Sequence, residues 1–216
     1  MRVRTRVKFC GLVRPVDVDD AVAIGADAVG FVFYPRSPRL LTAETAAALR
    51  RRLPSFVAAV GLFVDESPEV VAHTVAIAGL DLVQLHGDET PERAAAIAAA
   101  SARPWWRAVR MRPETDLLSS AQQFGGAECL LLDAFSEGFG GSGRRFDWGW
   151  IPSGVPARLV LSGGLDDTTV GEAIARVGPF GVDVSSGIQG SDPRIKDRRR
   201  MERFVAEVMA ADSKRA

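Results

Sequence analysis

Eight short runs of apolar, β-favouring residues alternate with alanine-rich helical stretches from one end of this chain to the other, and that alternation limits the fold more than any other feature. The runs fall at 6–10, 28–33, 56–63, 82–85, 104–109, 128–133, 158–161 and 180–184, so strand starts recur roughly every 22–30 residues. They are near-continuous hydrophobic runs, as expected of parallel strands covered on both faces. Helical stretches lie between them at 16–24, 43–52, 68–78, 91–100, 115–124 and 167–177, with a last one from 195 to about 211. Thr42, Asp65-Glu66-Ser67-Pro68 and Glu89-Thr90-Pro91 read as helix N-caps, the last two with proline in the first turn. The sixth gap differs, because Pro152 follows Phe146-Asp147-Trp148-Gly149-Trp150 and leaves room for little more than one turn. The expectation is an α/β chain forming a single-domain (β/α)8 TIM barrel over residues 1–216, with a doubly wound open sheet as the alternative.

Charge narrows the partners. Lys+Arg and Asp+Glu both total 27, so the formal net charge is zero and nothing favours nucleic acid or an anionic membrane. The stretch Met1-Arg2-Val3-Arg4-Thr5-Arg6 lacks the apolar core of a signal peptide, and no run is long enough to span a bilayer. Two cysteines, Cys10 and Cys129, make no disulfide framework and fit a reducing cytoplasm. Oligomeric state stays open between monomer and homodimer.

Parallel α/β folds keep their chemistry at the C-terminal tips of the strands. Side chains alternate along a strand, so in Val7-Lys8-Phe9-Cys10-Gly11 the lysine and the thiol share the inner face while Val7 and Phe9 face the helices. An ammonium there would favour the thiolate, the form able to act as base or nucleophile. Cys129 starts its strand, at the opposite end, and reads as structural. Asp133 follows three leucines at the tip of the sixth run, where burial would raise its pKa and keep a proton available. Leu161-Ser162-Gly163-Gly164-Leu165 and Asp183-Val184-Ser185-Ser186-Gly187 end the seventh and eighth runs; paired glycine- and serine-bearing loops at those positions suit a phosphate. Arg39, in a loop stiffened by Pro35 and Pro38, suits a carboxylate held bidentately. His86 closes Val83-Gln84-Leu85-His86-Gly87 as a pocket candidate, and no ligand cluster suggests a metal. The glycine-rich loop Phe139-Gly140-Gly141-Ser142-Gly143-Arg144-Arg145-Phe146 reads as a lid or phosphate-side flap, since it lacks the Gly-Lys-Ser/Thr of a Walker loop.

Lys8-Phe9-Cys10-Gly11-Leu12, Gly30-Phe31-Val32-Phe33-Tyr34 with Ser37-Pro38-Arg39, and Val83-Gln84-Leu85-His86-Gly87 resemble phosphoribosylanthranilate isomerase. So do Leu131-Leu132-Asp133, Gly140-Gly141-Ser142-Gly143 with Phe146-Asp147-Trp148, Ser162-Gly163-Gly164-Leu165 and Gly181-Val182-Asp183-Val184-Ser185-Ser186-Gly187. The resemblance runs the whole length in order. It implies a (β/α)8 barrel of tryptophan biosynthesis that performs an Amadori rearrangement on a small phosphorylated substrate, without cofactor or metal. It further implies Asp133 as general acid, Cys10 as general base and Arg39 on the anthranilate carboxylate. Lys8, His86 and Asp183 are then expected among the substrate-binding residues, and Gly143, Ser162, Gly163, Gly164, Ser185, Ser186 and Gly187 around the phosphate. Val13, Gln189 and Arg194 depart from the family's usual threonine, glutamate and glycine. A rival reading on the same barrel, a phosphosugar lyase, would need Lys8 as a Schiff-base amine. A non-catalytic phosphate-binding barrel is the third.

Overall fold

Strand pairing follows chain order all the way round. A computed structural model describes residues 4–135 and 145–215, with eight parallel strands: β1 (Arg6–Cys10), β2 (Ala28–Val32), β3 (Ala58–Phe63), β4 (Leu82–Leu85), β5 (Trp105–Met111), β6 (Cys129–Ala134), β7 (Arg158–Leu161) and β8 (Gly181–Val184). β8 pairs back onto β1, with Arg6 opposite Gly181 and Lys8 opposite Asp183, so the sheet is a closed barrel rather than an open one. The outer layer holds seven α-helices among the described residues: α1 (Pro15–Ile24), α2 (Ala43–Arg50), α3 (Pro68–Ala78), α4 (Pro91–Ser101), α5 (Leu117–Gln123), α6 (Val170–Val177) and α7 (Arg198–Lys214). Between β6 and β7 the described residues form only the 3₁₀ turn Trp148–Trp150, in keeping with the proline that follows it.

Alternation along the strands divides the apolar residues into two populations. Val7, Phe9, Val29, Phe31, Leu130, Leu132 and Val182 face outward into the main core shared with the helices, where Phe9 meets Phe204 of α7 edge-on at 6.3 Å. Ala28, Val60, Leu82, Trp106, Ala108, Cys129, Leu131 and Val160 fill the inside of the barrel toward its N-terminal end. A third, small group of Cys10, Val32, Leu62 and Val64 lies at the C-terminal end. The inner face is therefore apolar toward the N-terminal end, where Ala28, Leu82, Trp106 and Val160 also line a separate recess, and polar inward-facing residues gather at the upper end.

Helix starts obey local chemistry. Thr42, Ser67 and Thr90 accept the N–H of Thr45, Val70 and Arg93, capping α2, α3 and α4. Two helices begin about three residues later than their sequence periodicity suggests. At α6, Asp166 and Thr169 exchange hydrogen bonds that hold residues 166–169 as a turn. At α7, Lys196 bridges back to Gln189 and Asp197 becomes the cap, accepting Arg200 N–H at 3.1 Å. β3 likewise starts at Ala58 and leaves Phe56 exposed. No helix of the described residues is long and apolar enough to cross a membrane.

Candidate active site

The tips of β1, β4, β6, β7 and β8 surround one cleft of about 680 Å³, open at its mouth. Its wall carries Cys10, Arg39, Gln84, His86, Asp133, Ser162, Gly163, Gly164, Asp183, Ser185 and Ser186. Of the residues expected at the site, Lys8 and Gly187 lie just behind that wall, and Gly143 falls outside the described residues.

On the β1 side, Lys8 is fully buried and its ammonium donates to Asp183 at 2.8 Å. Closure of the barrel puts the two strands in the register that makes this pair. Burial alone would lower the Lys8 pKa, but Asp183 and the Cys10 sulfur outweigh it and hold the amine above the ordinary lysine value. A residue locked as an ammonium is a poor Schiff-base nucleophile, which counts against the lyase reading. Gly30 of β2 makes room for the arrangement: a Cβ there would stand 2.8 Å from Cys10 Sγ and 3.1 Å from Lys8 Nζ. Gly11, with φ +73°, turns the chain at the strand tip, and a Cβ on it would collide with the Arg39 side chain. Arg39 is thus seated over the end of β1, its buried Nε making no hydrogen bond.

Across the barrel, Asp133 is 6% exposed at the tip of β6. Its Oδ1 accepts the N–H of Ala134 at 2.9 Å and its Oδ2 lies 3.2 Å from His86 Nε2. His86 Nδ1 is 2.8 Å from the Gln84 amide nitrogen; with that nitrogen donating, the ring carries its proton on Nε2 and gives it to Asp133. Gly163, at φ +78°, lies against the same group, where a Cβ would come within 2.8 Å of Asp133 Oδ1. Gly163 therefore makes room for the carboxylate as well as turning the loop after β7.

Two loops meet on the remaining side. A Cβ on Gly187 would overlap the Leu165 carbonyl, so glycine lets the loop after β8 lie directly on the loop after β7. The 3₁₀ turn Ser186–Ile188 starts here, and the Ser185 hydroxyl donates to the Cys10 carbonyl at 3.0 Å. Ser162, Gly163, Gly164, Ser185 and Ser186 of these two loops line this end of the cleft. Among the described residues, no group of three His, Cys, Asp or Glu side chains could hold a metal ion.

Sequence reasoning did not single out Gln84 or Lys196. Gln84 was within reach: it shares the inner face of β4 with His86 and is a fully buried polar residue in a strand. Lys196 carried no such signal. It lies in a loop, yet it is 4% exposed, and burial together with the nearby Arg39 guanidinium lowers its pKa to about 8.

The chain is similar to known proteins over nearly its whole length. Residues 7–207 match the family described as "PRAI: N-(5'phosphoribosyl)anthranilate (PRA) isomerase". An N-(5′-phosphoribosyl)anthranilate isomerase from Ralstonia nicotianae is 52% identical over 219 residues, covering 97% of this chain and 95% of its own. Another from Methylibium petroleiphilum is 51% identical over 212 residues, covering 98% and 97%. Among solved structures, phosphoribosylanthranilate isomerase from Thermotoga maritima matches with a TM-score of 0.84 at 39% identity, over 95% of this chain and 99% of that one. A phosphoribosylanthranilate isomerase solved with reduced 1-(o-carboxyphenylamino)-1-deoxyribulose 5-phosphate matches with a TM-score of 0.79 at 36% identity, again over 95% and 99%.

Proposed function

The chain belongs to the N-(5′-phosphoribosyl)anthranilate isomerase family, and on that premise we propose that Asp133 opens the furanose of N-(5′-phosphoribosyl)anthranilate and Cys10 rearranges it. The product is 1-(2-carboxyphenylamino)-1-deoxyribulose 5-phosphate, a step of tryptophan biosynthesis. The observation that carries the residue assignment is that a carboxyl and a thiol, on β6 and β1, face one cleft, with the glycine- and serine-bearing loops after β7 and β8 between them.

The Asp133 carboxylic acid gives its proton to the ring oxygen as the bond from that oxygen to C1′ breaks, and the anthranilate nitrogen supplies the electron pair of the resulting Schiff base. The Cys10 thiolate then takes the proton from C2′, and the freed pair forms the enolamine. Tautomerisation to the ketone returns a proton to C1′ and completes an isomerisation with no net redox change. Each positioned proton transfer is typically worth ~10²–10⁴-fold. His86, braced by Gln84, orients the Asp133 carboxyl, while the Lys8 ammonium, fixed by Asp183, faces the sulfur. Arg39 takes the anthranilate carboxylate, and the loops after β7 and β8 take the phosphate. Held at both ends, the ribose sits between acid and base, which removes much of the orientational cost of the reaction.

The test is the decay of anthranilate fluorescence when purified protein meets freshly prepared substrate in the presence of EDTA. Rapid decay that disappears in Cys10→Ala is expected. Unchanged decay in that variant would remove Cys10 as the base.

A further inference from the structure

Lys196 reaches the cleft from behind, through another residue's backbone. Its ammonium donates to the Ser185 carbonyl at 2.9 Å and lies 3.3 Å from the Ser185 hydroxyl, which itself donates to the Cys10 carbonyl at 3.0 Å. Lys196 is held in place at both its backbone and its flanks. Its N–H points to Asp17 Oδ2 at 3.4 Å, it bridges Gln189, and the next N–H, that of Asp197, bonds the Ile188 carbonyl at 2.8 Å. Ser185 has backbone angles of −129° and −68°, outside the regular helix and strand regions, so its peptide orientation needs an external hold.

We infer that Lys196 is a positioning residue for the substrate's phosphate: its ammonium pins the Ser185 carbonyl, turns the Ser186 N–H into the cleft, and adds a positive charge behind the anion site. The inference rests on the reading of the loops after β7 and β8 as the phosphate site. The physical reason is the planarity of the peptide. In a trans peptide the C=O of one residue and the N–H of the next point in opposite directions. Lys196 stands behind the cleft wall while Ser186 is part of it, so a carbonyl drawn toward Lys196 directs the following N–H at the cleft.

The charge is also conditional on pH. The groups acting on Lys196 come from four elements: the Arg39 guanidinium from the loop after β2 disfavours the ammonium, while Cys10 of β1, Asp183 of β8 and Asp17 of α1 favour it, Asp17 being itself paired to Arg14. Burial is the largest influence, and the balance brings the pKa to about 8. An anion bound beyond Ser186 therefore meets a cation below that pH and a neutral amine above it.

Inorganic phosphate, used as a competitive inhibitor of the fluorescence-monitored reaction, reads both effects. With the fold checked by thermal melting, Lys196→Met is expected to weaken phosphate inhibition roughly tenfold to a hundredfold, the range for losing a hydrogen bond to a charged group. Lys196→Arg is expected to restore most of it. Between pH 7.5 and 9.5, where phosphate is mostly a dianion and its remaining ionisation is common to both proteins, wild-type inhibition should weaken relative to Lys196→Arg as pH rises through about 8, because a guanidinium does not titrate there. Cys10 is present in both proteins, so the difference between the two profiles isolates Lys196. Phosphate inhibiting Lys196→Met as well as wild type, or the same fall with pH in Lys196→Arg, would overturn the inference and leave the phosphate-loop reading intact. Phosphate failing to compete with the wild type would overturn both.

Discussion

At the N-terminal end of the barrel, Asp27 accepts the Val7 N–H at 2.9 Å and pairs with Arg4, while Asp81 accepts the Ala59 N–H at 2.8 Å and pairs with Arg50. At the C-terminal end, Asp133 sits between His86 and the cleft, and among the described residues its other oxygen accepts the neighbouring Ala134 N–H. The cysteines divide in the same way. Cys129 starts β6, is 1% exposed, and burial pushes its thiol up to about 12. Cys10 ends β1 on the cleft wall, beside the Lys8 ammonium. The residue types match; their surroundings differ. Lower carboxylates spend both oxygens tying strand starts to cationic side chains, so they stabilise and cannot react. At the upper end Asp183 is paired with Lys8, but Asp133 is packed by Gly163 and His86 onto the cleft wall.

Exchanging carboxylate for amide at each end tests that contrast most severely. Asp133→Asn is expected to lower kcat about 10²–10⁴-fold with an unchanged melting temperature. Asp81→Asn should do the reverse, lowering stability by about 1–3 kcal/mol in chemical denaturation while kcat/KM is retained. If the two variants gave the same pattern, the division between the barrel's ends would be wrong. The next largest effect should come from alkylation. Iodoacetamide at pH 8 should inactivate the native protein with one adduct by mass spectrometry, on Cys10, because a buried thiol with a pKa of about 12 offers almost no thiolate. A second adduct on Cys129 under native conditions would contradict its assignment as a buried structural thiol. The smallest effect belongs to the rim. Arg39→Ala should raise KM by roughly tenfold to a hundredfold, as for loss of a charge-assisted bidentate contact, with kcat within a few-fold of wild type. A drop confined to kcat would move Arg39 from binding the carboxylate to taking part in the chemistry.

Much of this was legible because it is local. Period-two alternation put Lys8 beside Cys10 on the inner face, and the same rule would have put Gln84 beside His86. Strand ends put Asp133, Ser162 and Ser185 at one face of any parallel barrel. The caps Thr42, Ser67 and Thr90 bond as their sequence context implies. The pairing of Lys8 with Asp183 was not legible, since the two are 175 positions apart and meet only through the register in which β8 closes onto β1. Nor was the contact between His86 and Asp133, which spans the inside of the barrel. Gly163 reads in sequence as part of a phosphate loop, and only packing shows that it also clears space for the Asp133 carboxylate. Lys196 was the most hidden: a lysine at the start of an expected helix, beside arginines, reads as surface, and its burial depends on Gln189, Asp17 and Ser185 converging on it.

The amino-acid order by itself determined the eight-fold alternation, the inward or outward facing of each strand residue, and the chemical types at each strand tip. Those follow from backbone geometry within a few residues of each position, which is the same wherever the strand ends up. Tertiary structure decided which tips face one another, which ammoniums stay charged, and which carboxylates are spent on the backbone. Those depend on closure register and on burial, and both are set by contacts between residues that the chain keeps far apart.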